Sequence, residues 1–140
     1  MTKEIILTIK GEQKYTAEEV TETVTETGAE YYLKNNSHYV IFEEETEGFK
    51  KKTRSVLKFR KGYAELTRKG LVQSHMVFEE NQLYMTAYRT PFGVVPMGVR
   101  TKKLEITEGE DTIRIEAEYE LEAHEEHMAD CRIEIIIQAK

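Results

Sequence analysis

An up-and-down antiparallel β-barrel of about eight to ten strands is the architecture this sequence predicts, on three observations. Apolar and polar residues alternate with period two along most of the chain, and no window sustains the period of a long helix. Turn signals recur at short intervals, among them Asn35-Asn36, Lys61-Gly62, Lys69-Gly70, Glu80-Asn81 and Pro91-Phe92-Gly93. Each extended segment has one apolar face, and rolling the sheet closed buries all of those faces without leaving open edges. Two packed sheets in a sandwich are the alternative use of the same pattern.

Taken in order, Ile5, Leu7 and Ile9 alternate with Ile6, Thr8 and Lys10 in a first strand that ends near Gly11. Residues 17–20 could form a short helical turn, and residues 20–27 (VTETVTET) read as a strand because threonine and valine favour extended backbone. Gly28 predicts a bulge or sharp bend before Glu30-Tyr31-Tyr32-Leu33. Asn35-Asn36 supplies a tight turn into residues 38–43, since asparagine tolerates positive φ. Residues 44–52 are polar and loop-like.

Arg54, Val56, Lys58 and Arg60 then alternate with Ser55, Leu57 and Phe59, and Lys61-Gly62 turns the chain into residues 63–68. Lys69-Gly70 turns it again into Val72, Ser74, Met76 and Phe78. Past Glu80-Asn81, the inner face of the next strand is either Leu83, Met85 and Ala87 or Tyr84 and Tyr88.

The stretch 84–101 is distinctive: it holds both prolines, Pro91 and Pro96, carries Arg89 and Arg100, and contains no acid. It reads as a barrel corner followed by a kinked strand. Proline cannot donate to a ladder, so Pro96 belongs at an edge or bulge. Val95, Met97 and Val99 are odd whereas Leu104 and Ile106 are even, so a bulge near residues 101–103 is needed to put both sets inside. The closing hairpin is the cleanest signal. Ile113, Ile115, Ala117, Tyr119 and Leu121 face one way, Arg114, Glu116, Glu118, Glu120 and Glu122 the other, and Cys131, Ile133, Ile135 and Ile137 form the partner's inner row.

The chain of 140 residues fits one domain, 1–140, and is long enough to bury a core. It holds no apolar run of bilayer length and no signal-peptide pattern in MTKEIILTIK, so neither membrane nor export is expected. One cysteine, Cys131, excludes an internal disulfide and fits a reducing cytoplasm. The formal net charge of -6 argues against a nucleic-acid partner. Charge is uneven all the same. Lys50, Lys51, Lys52, Arg54, Lys58, Arg60, Lys61, Arg68 and Lys69 face a lone Glu65, whereas acids dominate residues 108–130 with only Arg114 opposing them.

Gly28 with Tyr31-Tyr32, Arg68 with Gly70, Met76 with Phe78, then Tyr88, Phe92-Gly93, Thr101 and Tyr119 occur in an order that resembles the YwiB-like family of small bacterial proteins of unknown function. The resemblance spans nearly the whole chain. It implies a calycin-like (lipocalin-like) barrel and carries no catalytic assignment.

Barrels of this size enclose either packed side chains or one small ligand. The inward candidates are Leu57, Phe59, Met76, Phe78, Met85, Met97, Ile115, Tyr119, Ile133 and Ile135, a bulky set that can fill the interior as core. The candidate ligand-binding residues are Arg68, Arg89, Arg100, Tyr88, Met76 and Phe78, because guanidinium forks at a barrel mouth grip a carboxylate or phosphate. The plain alternative is that each arginine pairs with a glutamate. Ser74 and His75 are neighbours on a strand and face opposite sides, which excludes a nucleophile pair. His124-Glu125-Glu126-His127 has histidines three apart in a turn rather than four apart on a helix, so no metal site is expected.

The resulting expectation is a binding module for a small apolar or anionic ligand, without a cofactor and without catalytic residues, monomeric or homodimeric. A protein-interaction or homo-oligomer module using the basic region from Lys50 to Lys61 is the second reading. An enzyme on a barrel scaffold, with Arg68, His75 and Tyr88 as its only polar cluster, is the third.

Overall fold

The computed structural model describes residues 3–140 and is all strand and turn, with no helix among them. The strands are β1 (Glu4–Lys14), β2 (Val20–Lys34), β3 (Ser37–Glu44), β4 (Thr53–Arg60), β5 (Tyr63–Gly70), β6 (Ser74–Phe78), β7 (Leu83–Thr90), β8 (Gly93–Glu108), β9 (Thr112–Ala123) and β10 (Glu126–Ala139). They form one 10-stranded sheet in the order β6-β5-β4-β3-β2-β1-β10-β9-β8-β7. Every recorded pairing is antiparallel, and β1 pairs with β10 from Ile5↔Ala139 to Lys14↔Asp130. The two free ends of this order are β6 and β7, which are consecutive in the chain. Among the described residues one β-bridge joins them, Gln73↔Arg89, with amide–carbonyl distances of 2.9 and 2.8 Å, and the His75 N–H also donates to Thr86 Oγ1 at 3.2 Å. The barrel expected from the pattern is therefore present and nearly closed, with a seam between β6 and β7; two separate sheets do not form.

Alternation places the core as the sequence predicts. Leu57, Phe59, Met76, Phe78, Met97, Ile115, Tyr119, Ile133 and Ile135 are buried, and each large apolar side chain removed from water contributes about 1.5–3 kcal/mol. Met85 is the correction: it is 69% exposed. The inner face of β7 is instead formed by Tyr84, Thr86 and Tyr88, which pair with Val99, Met97 and Val95 of β8.

The turns obey their φ requirements. Asn35 and Asn36 adopt φ of 51° and 62°, and His124 and Glu125 adopt 54° and 64° at the tip of the β9–β10 hairpin. The parity change in β8 is absorbed where it must be, by a register shift between Thr101 and Lys103 against β9. Pro96 lies opposite Ala87, in the part of β8 that pairs with β7 alone, so its missing N–H interrupts no second ladder. At the turn before it, Phe92 is 89% exposed and meets the ring of Phe49 edge-on at 6.2 Å.

Two local expectations need revising. Residues 17–20 form no helical turn; the Thr16 hydroxyl accepts hydrogen bonds from the backbone N–H groups of Glu18 and Glu19, holding a bend. Gly28 introduces no bulge, since the β1–β2 register runs through it unbroken. It stands instead where β2 parts from β3, because β3 pairing begins only at Glu30.

Candidate anion-binding cleft

The seam exists because β6 is only 5 residues long and its ladder partner on one side is β5 alone. A shallow, open cleft of about 550 Å³ lies there, between the ends of β5 and β6 and the facing segment of β7. Arg68, Lys69 and Arg89 line it, with Gln73, Ser74 and His75, and no carboxylate does. Of these three cations Arg68 is paired with Glu44, and among the described residues Lys69 and Arg89 have no ion-pair partner, so the surface keeps a net positive charge that favours a negatively charged occupant.

Arg68 sits on the inner face of β5, in register with Ser55 on one side and Ser74 on the other. Its Nε donates to Glu44 Oε1 at 3.1 Å, and the Ser55 hydroxyl donates to the same oxygen at 2.8 Å. Among the described residues, no hydrogen bond falls on the two Nη nitrogens of Arg68. Glu44 thus fixes the stem of the guanidinium and leaves its fork available. The adjacent Ser74 Oγ is buried and has no hydrogen-bond partner, as does Thr101 Oγ1 on β8. Leaving such a group unsatisfied costs about 1–3 kcal/mol.

Of the residues singled out from the sequence, Arg68 and Arg89 both line the seam, but from opposite faces: Arg68 is on the inner face of β5, whereas Arg89 shares the outer parity of β7 with exposed Met85 and Ala87. Arg100 does not line it. It points outward from β8, between buried Val99 and Thr101, and its Nε donates to Glu122 Oε1 at 3.2 Å. Tyr88 lies on the inner face of β7 and is half-buried. Met76 and Phe78 are core residues, and the Phe78 ring meets Tyr119 edge-on at 5.0 Å. His75 projects outward, with Nδ1 2.9 Å from Thr67 Oγ1 and Nε2 3.4 Å from Glu65 Oε2, so it stands apart from buried Ser74. Lys69, Gln73 and Ser74 are among the cleft residues that the sequence did not single out. Lys69 reads as part of the Lys69-Gly70 turn and Gln73 falls inside the strand that starts at Val72, and the Gln73–Arg89 bridge brings this segment against β7.

Deeper in the barrel, burial raises the Tyr119 phenol above its ordinary range, and the Arg68 guanidinium opposes that rise. Burial likewise pushes the neighbouring Cys131 thiol up to about 11. A thiol so protonated is a poor nucleophile. Native protein at pH 8 is therefore expected to react with Ellman's reagent at least ~100-fold more slowly than free cysteine, and to release one equivalent at the free rate in denaturant. Rapid native labelling would contradict the buried placement.

On the outer surface, Glu120, His127 and Asp130 bring ligand atoms within 4.8 Å of one another, but Lys102 Nζ lies 2.7 Å from Glu120 and competes for the same carboxylate. His124 is not part of that group. The cations of the basic region are partly engaged: Lys58 lies 5.6 Å over Tyr39, Arg60 4.2 Å over Tyr63, and Lys52 pairs with Glu43 and Glu45.

The fold and the seam define a small antiparallel β-barrel of ten strands, nearly closed, with a cationic cleft where closure is incomplete. Residues 7–135 match the family described as "Domain of unknown function (DUF1934)", and the chain belongs to it. The crystal structure of the ywiB protein from Bacillus subtilis is similar over 99% of this chain and 92% of that one, with a TM-score of 0.85 at 20% sequence identity. The likeness is one of fold. No curated protein matches the sequence.

Proposed function

We propose that this protein is a non-catalytic binding module for a small anionic ligand, a phosphate or carboxylate compound, seated in the seam cleft. The observation that carries the reading is the pairing of a free guanidinium fork on Arg68 with the unsatisfied, buried hydroxyl of Ser74 next to it. Arg68 supplies the planar donors and Ser74 a hydroxyl that donates or accepts. Lys69 at the end of β5 and Arg89 on β7 add positive charge from the outer side of the seam, which attracts an anion to it. Ser74 and His75 lie on opposite sides of β6, so these two do not form a nucleophile–base pair.

Inorganic phosphate and benzoate are the probes for calorimetry at low salt. Saturable binding that weakens with ionic strength is expected. Loss of a charge-assisted hydrogen bond is worth about 1.5–3 kcal/mol, so Arg89→Ala should weaken affinity roughly 10- to 100-fold. Arg100→Ala, which breaks only the outer pair with Glu122, should leave it unchanged. Equal loss in both variants, or none in either, would overturn the assignment.

A further inference from the structure

β2 pairs with β1 along its length, from Lys14↔Val20 to Glu4↔Glu30, but with β3 only from Glu30 to Lys34. Residues 20–29 consequently carry a ladder on one edge alone, and residues 20–26 are exposed on both faces. The direction of the spare backbone groups follows from one bond. Tyr31 N–H donates to the Lys3 carbonyl at 2.7 Å, so odd-numbered residues of β2 turn their peptide groups toward β1. Alternate residues of an antiparallel strand turn theirs the other way. Val20, Glu22, Val24, Glu26 and Gly28 therefore present their donors and acceptors to an edge that no strand among the described residues occupies.

Such an edge is a template for strand addition, and its side chains decide what adds. Tyr31 is buried, so the odd residues face inward and Glu22 and Glu26 project outward beside Val20 and Val24. Residues 20–33 contain no lysine or arginine, and neither Glu22 nor Glu26 has an ion-pair partner among the described residues. Where β2 and β3 part, a groove of about 470 Å³ is lined by Glu4, Glu30 and Glu43 together with Arg54 and Lys140, so the acidic character of this edge rests on Glu22 and Glu26. A second copy of the chain would bring the same acids to this edge, and like charges across a strand pair are destabilising. A strand with lysine or arginine at alternate positions meets no such penalty and gains cross-strand ion pairs.

We infer that the free edge of β2 is a docking site for an extended basic segment of another protein, added as an antiparallel strand beside residues 20–28. The interaction is separate from the seam cleft, which lies at the β6–β7 side of the barrel.

The test titrates the full chain with an acetylated, amidated octapeptide that alternates lysine with threonine or valine, and with its counterpart carrying glutamate for lysine. Saturable, salt-sensitive binding of the lysine peptide is expected, with amide exchange slowed at Glu22, Val24 and Glu26 and no binding of the glutamate peptide. Val24→Pro removes an N–H that the fold does not use, so the barrel should persist while affinity falls at least tenfold. The double variant Glu22→Lys, Glu26→Lys leaves the backbone edge intact and should exchange the preference toward the glutamate peptide. It keeps the inference testable should the proline variant fold poorly. Equal binding of both peptides, unchanged preference in the double variant, protection elsewhere than β2, or no binding at millimolar peptide would each overturn it. So would a wild-type dimer that Val24→Pro converts to monomer, since the occupant would then be a second copy.

Discussion

Phe59→Ala should destabilise the protein by about 3–5 kcal/mol in urea unfolding, because the side chain is wholly buried and the surrounding barrel cannot collapse into the space it leaves. Phe59 stands on the inner face of β4, and its ring stacks on His38 at 4.5 Å with an interplanar angle of 4°. Removing the ring deletes the apolar contact and also exposes one face of a histidine held by Tyr31 and Glu108, at 2.6 and 2.9 Å. Met85→Ala is the matched comparison. Met85 is large and apolar yet mostly exposed, so its truncation should change stability by no more than about 0.5 kcal/mol. A large loss at Met85, or a small one at Phe59, would contradict the inner and outer faces described here.

Gly70→Ala carries an effect of similar size for a different reason. Gly70 ends β5 with φ of 145°, a conformation that residues with a side chain rarely adopt. A Cβ there would lie 2.4 Å from the Lys52 carbonyl oxygen and 2.8 Å from Thr53 Cα, both backbone atoms that cannot swing aside. The strained conformation and the clash each cost about 1–3 kcal/mol, giving a loss on the order of 2–6 kcal/mol. The damage should also extend to ligand binding, since Gly70 adjoins Arg68 and Lys69 and sets the turn that brings Gln73 to Arg89. Gly28→Ala is the control: an added Cβ meets nothing within 4 Å, and no positive φ is required there.

The fold was legible because period-two alternation states which face of each strand is buried, and closure follows once every strand has such a face. Even the bulge between Thr101 and Lys103 could be read, since the parity of Val99 and Leu104 allows no straight strand. What could not be read was lateral pairing. VTETVTET announces a strand, yet nothing in it says that the second edge is left open, because β-propensity reports the strand and not its neighbour. Met85 misled for the same reason. Both parities of β7 offer large residues, and only the pairing of Tyr84 with Val99 selects the inner one. The cleft was half visible. Arg68 and Arg89 stand out as cations near glycine and proline turns, but they are 21 residues apart, and the Gln73 bridge that joins their strands leaves no mark on the pattern. Arg100 has the same appearance and a different fate, because alternation between buried Val99 and Thr101 puts it on the outer face, in register with Glu120 and ion-paired with Glu122.

The most direct measurement is a phosphate titration of isotope-labelled protein at low salt, followed by amide shifts residue by residue. The cleft assignment predicts one saturating set of shifts centred on Arg68, Lys69, Gln73, Ser74 and Arg89, abolished by high salt. Shifts that never saturate, or that spread over Lys58, Arg60 and Lys61 while the seam stays silent, would contradict it.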